Sequence, residues 1–97
     1  MTELFVEELT FDPGAEIPLH HHPVVESFVV LEGELTFRLG VETILVDGEH
    51  TVTIPPGTPH GVVNRGSAAA RTLATSPYNH DEFFRSATTY LEGVPRD

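Results

Sequence analysis

Residues that favour turns divide this chain into short segments, and this division limits the possible folds most strongly. Groups such as Asp12-Pro13-Gly14 and Pro55-Pro56-Gly57 punctuate the sequence. Runs rich in β-branched and aromatic residues, which favour strands, lie between them. The predicted strands are 4–11, 15–22, 24–31, 34–39, 42–46, 51–54, 60–64 and 71–75. Short strands separated by turns at such regular intervals indicate an all-β sandwich or barrel.

Alternation within the strands identifies the side that faces the core. Leu35, Phe37 and Leu39 alternate with polar residues, which is typical of a half-buried strand. The Asp47-Gly48 dipeptide favours a tight hairpin between the two strands beside it. The residues predicted to be mostly core are Phe28, Val30, Leu35, Phe37, Leu39, Val52, Ile54 and Val62.

The C-terminal part of the chain follows a different pattern. Apolar residues there have helical spacing, which predicts a short helical segment over residues 79–93. These residues are Phe83, Phe84, Ala87, Tyr90 and Leu91. We expect the helix to pack over an opening or an outer face of the barrel; a lid over a substrate is the alternative. The chain is predicted to be one domain of residues 1–97, with its barrel core at about residues 4–76.

Three potential metal ligands lie close together in the sequence. His20, His22 and Glu26 are separated by even steps, and residues at even steps along an extended strand point to the same face. Two imidazoles and a carboxylate on one face provide nitrogen and oxygen donors for a divalent transition metal. His60, which follows a turn much later in the chain, is the candidate for the fourth ligand.

The composition narrows the classes of partner and chemistry. A formal net charge of −10 argues against nucleic acid and anionic membrane surfaces, because both bind clustered cations. The absence of Cys and Lys excludes thiolate ligands, thiol nucleophiles and Schiff-base chemistry. No apolar run is long enough to span a bilayer, and the N-terminus is acidic where a signal peptide is basic. We therefore expect a cytoplasmic protein.

Two motifs in the chain resemble those of the cupin family. The first, G-x5-H-x-H-x3/4-E-x6-G, is matched at every spacing by Gly14, His20, His22, Glu26 and Gly33. The second, G-x5-P-x-G-x2-H-x3-N, is matched by Pro55, Gly57, His60 and Asn64, with one extra residue separating Gly48 from Pro55. The presence of both motifs in order makes the resemblance specific.

The extra residue in the second motif predicts a local irregularity. A β-bulge near Glu49 and His50 would absorb it without moving His60. The same bulge would bring His50 near the barrel wall as a weaker alternative ligand. We expect Asn64 to form structural hydrogen bonds.

The resemblance implies a small antiparallel β-barrel, or jelly roll, that holds a metal in its interior. The implied ligands are His20, His22, Glu26 and His60. One divalent transition-metal ion per chain is expected, and Fe, Mn, Ni, Zn, Co and Cu all suit these donors. Glu26 has a second possible role as a catalytic general base. The predicted apolar lining of the substrate pocket is Phe28, Val30, Phe37 and Val62.

The favoured function is that of a metal-dependent oxidoreductase. We expect dioxygenase-like chemistry on a small enol, enediol or phenolic substrate bound to the metal. One alternative is a non-oxidative isomerase, lyase or polyketide cyclase that uses the metal as a Lewis acid; another is a non-catalytic cupin that binds a small ligand. By analogy with small cupins we expect a homodimer formed through strand 4–11 and the C-terminal helix.

Overall fold

The computed structural model describes residues 4–78 and 88–91 of the chain, and these form antiparallel strands. The strands are β1 (Phe5–Phe11), β2 (Glu16–His21), β3 (Glu26–Glu32), β4 (Glu34–Leu39), β5 (Glu42–Asp47), β6 (Thr51–Ile54), β7 (His60–Val63), β8 (Ala70–Ser76) and β9 (Thr89–Tyr90). They make a four-stranded sheet, β1-β8-β3-β6, and a five-stranded sheet, β5-β4-β7-β2-β9. The predicted all-β fold is confirmed. Among the described residues, no helix has the length and apolar character needed to cross a membrane.

An apolar core holds the two sheets together. Phe28 of β3 and Phe37 of β4 belong to different sheets, and their ring centroids lie 5.4 Å apart. Seven of the eight predicted core residues are buried, and Leu39 packs against the core from a partly buried position. Removal of these side chains from water supplies the main favourable free energy of folding.

The turn after β5 connects the two sheets. β5 and β6 are edge strands of different sheets, so the tight hairpin predicted at Asp47-Gly48 is wrong. The Glu49 N–H donates to the Val30 carbonyl oxygen (2.6 Å), and the Val30 N–H donates to the His50 carbonyl oxygen (3.0 Å). Glu49 and His50 therefore both lie opposite the single residue Val30, which confirms the predicted β-bulge. Glu49 adopts the left-handed conformation there, with φ of 71°.

A second bulge, in β2, was not predicted from the sequence. Ile17 pairs with Val62 and His20 pairs with His60, so β2 has one more residue than β7 over this interval. Ile17 packs against the apolar core, and His20 is also buried, although the two are three positions apart and would face opposite sides of a regular strand. The bulge therefore lets one strand contribute first to the core and then to a polar site.

Gly61 of β7 makes room for this second bulge. A Cβ atom at Gly61 would lie 3.0 Å from the Ile17 carbonyl oxygen and 3.3 Å from the Leu19 nitrogen. Both neighbours are backbone atoms, which cannot turn aside as the end of a flexible side chain can. Glycine at this position therefore allows β7 to approach the irregular part of β2.

The strand β9 corrects the predicted C-terminal helix. Residues 79–87 and 92–93 of that prediction lie outside the described residues, but Thr89–Tyr90 pairs with β2. The Leu91 N–H also donates to the Leu19 carbonyl oxygen (2.9 Å). A Thr-Thr-Tyr run favours extended backbone, and the edge of β2 supplies its hydrogen-bond partners. The predicted helix is therefore wrong at Thr89–Tyr90.

Asn64 connects the end of β1 to the loop before β8. Its side-chain Nδ2 donates to the carbonyl oxygens of Phe11 (2.8 Å) and Ala68 (2.9 Å). Its Oδ1 accepts a hydrogen bond from the Gly66 N–H (2.9 Å). The buried amide thus has the structural role that the sequence predicted.

Candidate metal centre

Four buried polar side chains meet between the two sheets. His20 lies on β2, His22 directly after it, and Glu26 and His60 begin β3 and β7. Pairing of β2 with β7 places His20 opposite His60, with ring centroids 4.1 Å apart. Their exposed fractions are 7% for His20, 3% for His22, 7% for Glu26 and 1% for His60. The structure thus brings together all four residues that the sequence predicted as ligands.

The spacing of the donor atoms suits a single ion. The three histidines offer ring nitrogens that all lie within 4.8 Å of one another. Glu26 Oε1 lies 3.5 Å from His22 Nε2 and 3.8 Å from His60 Nε2. Donors bound about 2.0–2.2 Å from one ion lie roughly 3–4 Å apart. The three histidines therefore form a group that could hold a metal, and the carboxylate lies beside two of them.

Backbone carbonyls fix the direction of each imidazole. In each histidine the Nδ1–H donates to a carbonyl oxygen two residues away. The pairs are His20 with Pro18 (2.6 Å), His22 with Val24 (3.0 Å) and His60 with Thr58 (2.8 Å). A carbonyl oxygen can only accept, so these bonds assign the ring proton to Nδ1. With the ring proton on Nδ1, the lone pair that a metal ligand needs is on Nε2.

The Nε2 atom of His60 is the strongest indication that this site fits a cation. It is buried and makes no hydrogen bond within the described part of the chain. Leaving such an atom unsatisfied costs about 1–3 kcal/mol. The Glu26 carboxylate nearby is also an acceptor, and two acceptors face each other favourably only with a proton or a metal ion between them. The chemistry of this donor set therefore fits a divalent metal.

Burial and mutual contacts set the charges in the site. Burial lowers the pKa of His20 from 6.5 to about 4, so this imidazole is neutral at pH 7. Burial raises the pKa of the Glu26 carboxyl, but its interactions with the neighbouring His22 and His60 imidazoles outweigh burial and lower the pKa to about 2. A neutral imidazole and an ionised carboxylate are the protonation states in which these groups bind metals.

The loop before β7 ties the two ligand-bearing segments together. The Gly57 N–H donates to the His22 carbonyl oxygen (2.8 Å). Gly57 has φ of +77°, a conformation that glycine adopts without steric cost. The adjacent residue, Thr58, supplies the carbonyl that orients His60. This turn therefore couples the position of one histidine to the orientation of another.

The other predicted site residues lie in different surroundings. Those predicted to line the substrate pocket belong to the apolar core, and none is more than 2% exposed. They are Phe28, Val30, Phe37 and Val62. Their contact with a substrate stays a prediction. His50 is exposed and its Nδ1 lies 2.9 Å from the Asp47 carboxylate, so the alternative that it is a ligand is wrong.

One residue beside the site was missed by the sequence analysis. Tyr90 of β9 pairs with His20 of β2, and their ring centroids lie 5.6 Å apart. The helical spacing of the C-terminal part had assigned Tyr90 to a packing role. The signal that could have found it is the β-favouring Thr-Thr-Tyr run, but nothing in that run specifies its partner strand.

Comparison with known sequences identifies one family model and several relatives. The model for a cupin domain, Cupin_2, matches residues 7–76. An uncharacterized protein of Methanocaldococcus jannaschii is 35% identical in an alignment 72 residues long that covers 71% of this chain and 58% of that protein. Auxin-binding protein 4 of Zea mays is 36% identical in an alignment 64 residues long that covers 57% of this chain and 31% of that protein. The alignments thus span less than two thirds of either relative.

Comparison with solved structures finds the same fold. An RmlC-like cupin from Shewanella frigidimarina has a TM-score of 0.73 and 27% identity, covering 82% of this chain and 71% of that one. An oxalate oxidase (TM-score 0.73, 22% identity, 91% and 46% covered) and the polyketide cyclase RemF from Streptomyces resistomycificus (0.71, 24%, 89% and 69%) also share it. The names of the last two describe unlike reactions, so the fold alone does not select the chemistry.

Proposed function

Because this chain belongs to the cupin family, we propose that it is an enzyme that uses the candidate metal centre. The proposed ligands of one divalent transition-metal ion are His20, His22, Glu26 and His60. The observation that carries this proposal is the buried Nε2 of His60, which makes no hydrogen bond among the described residues and lies 3.8 Å from Glu26 Oε1. A bound metal would supply Lewis acidity and, if it is redox-active, a route for bringing an organic substrate and dioxygen together.

We propose oxidative, dioxygenase-like chemistry on a small enol, enediol or phenolic substrate. The apolar core beside the ligands favours substrates of aromatic or apolar character over highly charged ones. For Glu26 to act as a general base, its carboxylate must first move away from His22 and His60. Beside those imidazoles its pKa of about 2 makes it a poor proton acceptor, whereas it remains a good ligand.

Elemental analysis of protein purified without added metal tests the ligand set. We expect about one metal ion per chain in the unmodified protein and essentially none in the His60→Ala variant, because that change removes one of the converging nitrogens. The matched control is His50→Ala, which removes an exposed histidine and should leave the metal content unchanged. Full metal retention by His60→Ala would contradict the assignment.

Oxygen consumption separates oxidative from non-oxidative chemistry. The metal-loaded protein is mixed with a panel of catechols, enols and enediols in an oxygen electrode, and consumption that depends on both substrate and metal supports the proposal. Turnover of the same substrate under strict anaerobiosis would contradict dioxygenation. It would instead favour an isomerase, lyase or cyclase in which the metal polarises a carbonyl.

A non-catalytic role in binding a small ligand is the second candidate. It is favoured by the relative from Zea mays, which is named as an auxin-binding protein. Auxin-type indole or phenyl carboxylic acids are therefore reasonable probes for the metal-loaded chain. Tight binding without turnover across the panel would support this candidate over an enzyme.

We also propose that the chain forms a homodimer in the cytoplasm. β1 is an edge strand, and its neighbourhood exposes Leu4 (61%) and Val6 (59%). Exposed apolar residues on a strand edge that no other described strand covers favour pairing with a second copy. Light scattering at micromolar concentration should give twice the mass of the chain; the mass of a monomer would contradict the proposal.

A further inference from the structure

Tyr90 connects the buried metal centre to the protein surface. It lies directly opposite His20 in the antiparallel pairing of β9 with β2. Side chains of directly opposite residues in such a pair lie on the same face of the sheet. Tyr90 is 37% exposed and His20 only 7%, so the tyrosine lies on the outer side of the histidine. Its ring is therefore placed at the edge of the polar site.

Backbone hydrogen bonding holds the tyrosine in this place. β9 pairs with β2 at both of its residues, Thr89 and Tyr90, and the next residue, Leu91, donates its N–H to the Leu19 carbonyl oxygen (2.9 Å). The rings of Tyr90 and His20 are inclined by 41° with centroids 5.6 Å apart. This separation lies within the 4.5–7 Å range usual for interacting rings. Strand β9 thus places the aromatic side chain of Tyr90 beside the candidate metal centre, whose proposed ligands come from other segments of the chain.

We infer that Tyr90 forms one wall of the substrate site and stacks on a planar, unsaturated ligand held at the metal centre. This inference rests on the proposed function. An aromatic face beside a metal selects flat ligands, because they can chelate the ion and stack on the ring at once. Tyr90 is thus a specificity-determining residue for enediol and phenolic ligands over saturated ones of similar size.

Binding of 4-nitrocatechol to the Zn²⁺-loaded protein tests this inference by absorbance titration. We expect Tyr90→Ala to weaken binding about 3- to 10-fold, the range that one aromatic contact supplies. Tyr90→Phe keeps the ring and should stay within about 2-fold of the unmodified protein. The matched control is Leu91→Ala, which alters the neighbouring side chain of the same tail and should leave binding unchanged.

Fluorine NMR provides a second readout that does not depend on affinity. The chain has two tyrosines, Tyr78 and Tyr90, so labelling with 3-fluorotyrosine gives two signals, and Tyr90→Phe identifies one of them. We expect the Tyr90 signal to shift more than the Tyr78 signal when 4-nitrocatechol is added to the Zn²⁺-loaded protein. A larger shift at Tyr78 would overturn the inference.

The possible failures are distinguishable. If calorimetry shows that the unmodified protein does not bind Zn²⁺, the proposed function fails. If Zn²⁺ binds equally to all variants but 4-nitrocatechol binds Tyr90→Ala as tightly as the unmodified protein, only the role of Tyr90 is overturned. If the Zn²⁺-loaded unmodified protein does not bind 4-nitrocatechol, the proposed phenolic substrate class is overturned together with the role of Tyr90. Weaker ligand binding by Tyr90→Ala with unchanged Zn²⁺ affinity supports it.

Discussion

The apolar core and the candidate metal centre are equally buried but are stabilised differently. Leu35 and Phe37 in the core are 0% exposed, and His60 in the centre is 1% exposed. The core side chains gain their free energy from contact with one another. The Nε2 of His60, in contrast, is buried without a hydrogen-bond partner among the described residues.

This difference indicates which parts of the chain depend on an external ligand. The core should be stable whether or not a metal is present, because its contacts are complete within the protein. The candidate metal centre holds converging ring nitrogens beside a carboxylate, and this group could hold a metal ion. Stability should therefore respond to metal through the centre and to side-chain volume through the core.

Truncation of the core should give the largest loss of stability. Phe37→Ala removes a fully buried ring that contacts Phe28 across the two sheets. We expect the free energy of unfolding to fall by about 3–5 kcal/mol, both with and without metal. Urea denaturation measures it, with the fully exposed Val41→Ala as the control. A loss seen only in metal-loaded protein would break the distinction between the two regions.

Removal of metal should give the next largest change. If the metal binds only the folded state, metal at a hundred times its dissociation constant raises the free energy of unfolding by about 2.7 kcal/mol. Thermal unfolding with and without a chelator should show this increment in the unmodified protein. His60→Ala should lose the increment, and an unchanged increment in that variant would show that the metal binds elsewhere.

A methyl group at Gly61 should disturb the centre more than the core. The Cβ atom of Gly61→Ala would press on backbone atoms of Ile17 and Leu19, beside the bulge that directs His20 inward. We expect a loss of about 1–3 kcal/mol in stability together with weaker metal binding. Gly48→Ala is the control, because its Cβ meets only one backbone oxygen, at 3.5 Å. Unchanged metal affinity in Gly61→Ala would contradict the role of the bulge.

Acid should destabilise the protein through the candidate metal centre and not through the core. The folded-state pKa of His20 is lowered from 6.5 to about 4, so the unfolded chain binds its proton first as the pH falls. The metal-free protein should therefore lose stability from pH 6.5 down to about 4. His20→Gln should flatten this slope, as measured by urea denaturation at a series of pH values. An equal slope in the variant would exclude His20 as its source.

The sequence predicted the regular parts of this fold better than its irregular parts. The strands 34–39 and 51–54 were predicted at their observed bounds because local alternation and turn residues define them. The connection at Asp47-Gly48 was misread since a turn dipeptide does not specify which sheet the next strand joins. The strand Thr89–Tyr90 was misread because its conformation depends on the distant edge of β2.

The candidate site was likewise predicted in part: its side chains were identified, but the backbone features that orient them were not. The spacing of His20, His22 and Glu26, with His60 after a turn, identified the residues that the structure brings together. The carbonyl oxygens that orient the imidazoles are backbone atoms, which every residue type has, so the sequence could not predict these hydrogen bonds. The bulge in β2 also escaped prediction, because it arises from the pairing of two separate strands.

The location of a bound ion tests the central claim most directly. Crystals of the protein grown with Co²⁺ would be measured on both sides of the cobalt absorption edge. A single strong anomalous peak should lie about 2.0–2.2 Å from the Nε2 atoms of the three histidines and from a carboxylate oxygen of Glu26. A peak elsewhere on the chain, with these four side chains free of the ion, would contradict the account.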